Sequence, residues 1–129
     1  MKTISIDETN IVSGKVIDAA MEVHRALGPG LLESVYEACL FEELKEKGLK
    51  VLRQESLPVF YKGRKIEAGF RLDLYVEDCL VIELKTVDEI LPIHEAQLMT
   101  YLKLTGDRVG LLLNFNVRLL KDGIKRVIL

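Results

Sequence analysis

At 129 residues, with 49% hydrophobic and 29% charged residues, the chain has the composition of one globular domain, which excludes a disordered or fibrous protein. A net charge of -2 lacks the overall basic excess usual in nucleic-acid binders. No apolar run is long enough to span a bilayer, and Asp7 and Glu8 stand where a signal peptide needs apolar residues, so a soluble cytoplasmic protein without membrane contact is expected. The charge is nevertheless divided along the chain: residues 1–49 carry -4, 50–75 carry +3, 76–102 carry -5 and 103–129 carry +4. Cys39 and Cys79 lack the spacing of a metal motif and read as free thiols.

In chain order, a short β-like start at Thr3 to Ile6 precedes N-terminal helix signals at Asp7, Glu8 and Thr9 or Asn10. Val12, Val16, Ala20, Val23 and Leu27 recur at helical spacing up to Gly28-Pro29-Gly30. His24 in this helix reads as a structural or surface histidine. A second helix runs from Leu31 to about Lys47, with Leu32, Val35, Tyr36, Cys39, Leu40 and Leu44 as its apolar stripe. Glu33 sits in its first turn at the edge of that stripe, where the helix N-terminus favours a carboxylate. It is either that alone or a carboxylate aimed into a site.

From Lys50 the period becomes strand-like. Val51 to Tyr61 is a long strand interrupted by Pro58, Lys62-Gly63-Arg64 a turn, and Ile66 to Val76 and Leu80 to Val87 the next two strands, joined by a hairpin at Glu77-Asp78. Pro92 opens a helix to about Leu104, stopped by Gly106. It carries His94, Gln97 and Tyr101 on one face. Val109 to Phe115 is a buried strand, and Val117–Leu120 with Ile124–Leu129 reads as a small terminal hairpin about Lys121-Asp122-Gly123. Three antiparallel strands followed by a crossover helix and a further strand give a mixed sheet with helices against it, an α/β (α+β) class in a single domain over residues 1–129.

The chemistry concentrates in the two strands around the Glu77-Asp78 hairpin. Along the first, Leu72, Leu74 and Val76 alternate with Asp73 and Tyr75; along the second, Val81, Glu83 and Lys85 share one face and Leu80, Ile82 and Leu84 the other. Charges on so apolar a strand need pairing or a metal. Two readings follow: an edge strand whose Glu83 and Lys85 face water or a salt bridge with Asp73 or Arg71, or a site for a hard cation. Mg²⁺ takes oxygen ligands and keeps several waters, so two or three carboxylates on neighbouring elements suffice.

Asp73, followed after nine residues by Glu83-Leu84-Lys85, resembles the PD-(D/E)XK nuclease superfamily. Gly30-Leu31-Leu32-Glu33-Ser34-Val35-Tyr36 resembles the signature of its small GxxExxY proteins, and Gln97 to Tyr101 resembles the QxxxY motif of its RecB-like nucleases. The likeness runs from about Val12 to Leu129, with Leu72 in place of the proline before the first acid. It implies a restriction-endonuclease-like αβββαβ core and a DNA phosphodiesterase working through a Mg²⁺-activated water, with Mn²⁺ as a substitute. By the same resemblance Asp73, Glu83 and the Leu84 carbonyl bind the metal, with Glu33 completing or orienting its shell. Lys85 positions the water, and Gln97 and Tyr101 support the site or touch the nucleic-acid backbone, His94 being a weaker candidate on their face.

Phosphates would be held by Arg53, Lys62, Arg64, Lys65 and Arg71, or by Lys121, Lys125 and Arg126. Single-stranded, branched and free-ended DNA all fit, and so small a chain could enclose DNA as a homodimer. Two other readings keep the fold without turnover: a catalytically silent nucleic-acid-binding module, and a protein-interaction domain in which Lys85 pairs with Glu83 and Asp73.

Overall fold

The computed structural model describes residues 4–129, leaving aside the side chain of Ala68. Two helices, α1 (Ile6–Leu27) and α2 (Glu33–Glu46), are followed by strands β1 (Val51–Tyr61), β2 (Arg64–Val76) and β3 (Leu80–Lys85). Then come helix α3 (Pro92–Thr105), strand β4 (Val109–Asn114), a 3₁₀ turn (Leu120–Gly123) and strand β5 (Ile124–Ile128). The five strands lie in the sheet in chain order. Neighbours are antiparallel except β3 and β4, which run parallel because α3 carries the chain back across one face.

Strand alternation sorts the core into two layers. Leu80, Ile82 and Leu84 of β3 and Leu111 and Leu113 of β4 face α1 and α2, meeting Val16, Ala20, Tyr36 and Leu40. Val81, Leu112 and Val127 face α3, meeting Leu98, Tyr101 and Leu102. The alternation expected along β3 therefore holds. Along β2 it breaks, because Leu74 and Val76 join the first layer but Leu72 joins Tyr75 in the second. The break falls at Asp73.

Helix α1 starts at Ile6, and Ser5 caps it by accepting the Glu8 N–H at 3.1 Å, so the β-like start does not form over Ile4–Ile6, and Thr3 lies outside the described residues. In α2 the N-terminal part of the expected stripe faces outward: Leu32 is 74% exposed and Val35 is also exposed. The terminal hairpin does not form. Residues Leu120–Gly123 coil into the 3₁₀ turn, and β5 pairs with β4, from Leu113↔Ile124 to Val109↔Ile128. A buried strand with an open edge offers more backbone hydrogen bonds and apolar contact than a free hairpin.

His24 is buried, with Nε2 at 2.8 Å from the Val117 carbonyl and 3.2 Å from that of Phe115, a structural histidine tying α1 to the segment after β4. Cys39 and Cys79 are free.

Candidate active site

The loop between α1 and α2 explains the glycines and tyrosine of the Gly30-to-Tyr36 motif. Gly28 and Gly30 have φ of +68° and +99°, a region costly for residues with a Cβ. The fully buried Tyr36 stacks on Phe115 with ring centroids 4.6 Å apart. Its hydroxyl donates to the Gly28 carbonyl at 2.5 Å and accepts the Leu31 N–H at 3.1 Å. The turn is thereby fastened to the core, and α2 begins at a fixed place with Glu33 as its first residue.

The β2–β3 ladder pairs Val76↔Leu80, Tyr75↔Val81 and Leu74↔Ile82 and goes no further. Beyond it the strands are joined by side chains. Asp73 Oδ2 accepts the Leu84 N–H at 2.9 Å, and Glu83 Oε1 accepts the Asp73 N–H at 3.3 Å. Asp73 and Glu83 thus meet where the sheet opens, each orienting the other's strand.

With both groups ionised the electrostatics of this pair are unfavourable without a cation, and Glu83 relieves them by keeping its proton. Burial, then repulsion from Asp73, pushes the Glu83 carboxyl up to about 9, and Glu83 is only 5% exposed. Burial is also the largest influence on Asp73 and raises it, against the lowering effect of the Leu84 N–H. Lys85 draws both carboxyls toward the ionised form, yet it makes no ion pair within 4 Å among the described residues. The salt-bridge reading of Glu83 and Lys85 is therefore not what the structure contains.

Glu33 is exposed at the mouth of the site, its carboxyl raised by burial and by Asp73 and lowered by Lys85. Two further polar residues not singled out in the sequence stand behind Asp73. Glu37, one turn after Glu33 and buried, accepts from Arg53 Nε at 2.8 Å and from Gln54 Nε2 at 2.6 Å. Gln54, held at φ +54°, also reaches Asp73 Oδ1 at 3.5 Å. The four-residue spacing from Glu33 could have drawn attention to Glu37. Gln54 carries no such signal, because its role depends on an irregular backbone.

Helix α3 brings Tyr101 to the opposite side. Tyr101 is buried, edge-on to Phe70 at 5.8 Å, and its hydroxyl is raised by burial and then by Glu83 and Asp73. Gln97 is exposed on the same helix, and its side chain makes no hydrogen bond to another side chain or backbone group among the described residues. His94 serves the helix end, its Nδ1 accepting the Leu91 N–H at 3.0 Å.

The basic candidates divide. Arg53 is engaged by Glu37, Lys125 pairs with Glu95 at 3.6 Å, and Arg126 hydrogen-bonds Asn10. Lys62, Arg64, Lys65 and Arg71 are exposed on the β1–β2 hairpin, Lys65 with Glu67 at 3.7 Å, and Lys121 is exposed within the 3₁₀ turn.

A buried carboxylate, Glu83, beside a half-buried one, Asp73, on adjacent strands fits a hard divalent cation, since Mg²⁺ is commonly held by one or two carboxylates and completed by water. No group of three or more acids, histidines or cysteines is close enough together to hold a metal among the described residues. Glu33 is coupled electrostatically to Asp73 and Lys85 from the first turn of α2.

A family model described as the PD-(D/E)XK nuclease superfamily matches residues 10–127. No curated protein and no solved structure matches the chain.

Proposed function

We propose that this chain, which belongs to the PD-(D/E)XK nuclease superfamily, is a divalent-metal-dependent nuclease that hydrolyses phosphodiester bonds of DNA. The observation that carries the reading is the pairing of buried Glu83 with half-buried Asp73 where the sheet opens, with Lys85 beside it and unpaired by any described acid. Asp73, Glu83 and the Leu84 carbonyl would hold the cation, with Mg²⁺ preferred and Mn²⁺ able to replace it. When bound, the cation supplies Lewis-acid activation of water and neutralises charge growing on the phosphate.

The chain's own groups do the rest. Lys85 places a cationic N–H donor at the reacting phosphate and its attacking water, where growing negative charge strengthens the contact. Asp73 is held by the Leu84 N–H and by Gln54, so it need not reorganise on binding. Glu33 tunes the charge at the entrance. Tyr101 closes the site on the α3 side with its hydroxyl protonated and available as a donor.

The test is cleavage of labelled linear, single-stranded, flapped and branched DNA with Mg²⁺ or EDTA, by wild type, Asp73→Ala and Lys85→Ala. Cleavage that requires Mg²⁺ and disappears in both variants is expected. Binding of DNA without cleavage of any form would favour a silent binding module instead.

A further inference from the structure

The β1–β2 hairpin extends well past the sheet. Only Val51–Arg53 and Leu74–Val76, at its base, lie alongside strands that continue into β3. From Glu55↔Leu72 outward the two strands pair with each other alone. If extended, the strand from Asp73 to Arg64 spans roughly 30 Å at about 3.3 Å per residue. The arm is closed by a tight turn in which Lys62 and Gly63 both have positive φ, the geometry of a two-residue hairpin.

The arm has a root, a bend and a tip. At the root, Leu57 and Phe70 pack in the α3 layer, where Phe70 touches Tyr101. At the bend, the register shifts between Leu57 and Val59 across Pro58, and Gly69 has φ +78°. An open groove of about 400 Å³ lies there, lined by Arg71 and by Lys65 with its partner Glu67, two cations against one acid. At the tip, Phe60 is 66% and Tyr61 63% exposed, and each lies opposite a cation in the ladder, Phe60↔Lys65 and Tyr61↔Arg64.

Neither ring is buried in a core: adjacent residues of a strand point to opposite faces, and Lys62 Nζ stands 5.5 Å from the Tyr61 ring centroid, so a cation already lies over an exposed aromatic face. Cations beside exposed rings suit a chain of phosphates whose bases are free to stack. The bases of a duplex are already stacked and offer no free face.

We propose that the arm binds an unpaired strand of nucleic acid. Wrapping the tip, its bases stack on Phe60 on one face and on Tyr61 on the other, its phosphates are held by Arg64, Lys65 and Arg71, and the groove at the bend leads it past Phe70 and Tyr101 to the Asp73–Glu83 site. This selection of single-stranded or branched substrates rests on the nuclease reading only for its last step. The binding itself needs neither metal nor turnover.

The test is fluorescence anisotropy in EDTA with a labelled single strand, a forked DNA and a blunt duplex of equal length, using wild type, Phe60→Ala/Tyr61→Ala and Phe60→Trp/Tyr61→Trp. Wild type is expected to bind the single strand and the fork more tightly than the duplex. The alanine variant should lose roughly tenfold or more on those two alone, as base–aromatic stacking predicts, and the tryptophan variant should restore it. Equal binding of all three DNAs by wild type, or unchanged binding by the alanine variant, would overturn the proposal. So would sedimentation showing that the alanine variant converts a dimer to a monomer with single-strand affinity unaltered, which would give the arm to a second copy of the chain. If Mg²⁺ is then added and wild type binds as expected but does not cut, the nuclease reading fails and the arm's role stands. Metal-dependent cutting by the alanine variant with unchanged preference would do the reverse.

Discussion

Glu83 makes the stability of the metal-free protein depend on pH, alongside the raised carboxyls of Asp73 and Glu33. An unfolded glutamate titrates near 4.5, whereas in the fold burial and Asp73 raise it to about 9. The folded state therefore holds a proton that the unfolded state has released. Stability from this group is full below about pH 4.5 and falls as pH rises toward 9. Glu83→Gln keeps the shape and removes the charge. Its melting temperature without metal should exceed that of wild type by more at pH 8.5 than at pH 5, by thermal denaturation, and an equal difference at both would contradict the assignment. Behind Asp73, Glu37→Ala strips a buried acceptor from Arg53 and Gln54, at an expected cost of about 1.5–3 kcal/mol in urea denaturation, the range for hydrogen bonds to charged groups. That Asp73 and Glu83 meet on neighbouring strands was legible in the sequence, because strand alternation and the Glu77-Asp78 turn set two runs side by side. Glu37 was overlooked beside the more conspicuous Tyr36, and Gln54 could not be read because its reach to Asp73 depends on a positive φ.

Two elements hold the sheet end in place, and each offers a test. A Cβ on Gly123 would stand 2.2 Å from the Asn114 carbonyl oxygen, a backbone atom that cannot move without shifting β4. On Gly110 the nearest atom would be a Leu98 methyl at 2.8 Å, which can turn aside. Gly123→Ala should therefore cost more than Gly110→Ala in equilibrium unfolding, toward the upper end of about 1–3 kcal/mol for overpacking, and should lower cleavage as well. Asn114 is the link to activity: it is opposite Lys85 in the β3–β4 ladder, and its side chain fastens Val87 through both backbone groups, at 3.1 and 2.9 Å. Tyr36→Phe removes the hydroxyl that ties Gly28 to Leu31, with an expected loss of about 1–3 kcal/mol. The helices and the β1–β4 order were legible because period and glycine stops agreed. The last element was misread because Lys121-Asp122-Gly123 is equally good chemistry for a hairpin turn and for the 3₁₀ turn. Only the open edge of β4, a tertiary fact, decides between them.

For the whole molecule, a net charge of -2 conceals a basic arm and an acidic site on one small domain. DNA binding should weaken steeply with added salt, because phosphates release counterions to the arm's cations. A metal that binds only the folded state should raise the melting temperature, and go on raising it with the logarithm of its concentration above Kd. It must also displace the proton on Glu83, so its apparent affinity should rise with pH. The measurement that joins these is the initial rate of DNA cleavage as a function of Mg²⁺ concentration at pH 7 and pH 8.5, for wild type and Glu83→Gln. Wild type is expected to show a saturable rate that reaches half its maximum at lower Mg²⁺ at pH 8.5, and Glu83→Gln to show no saturable cleavage at either pH. Cleavage independent of Mg²⁺, or a Glu83→Gln curve that overlays wild type, would contradict a metal site built on Asp73 and Glu83.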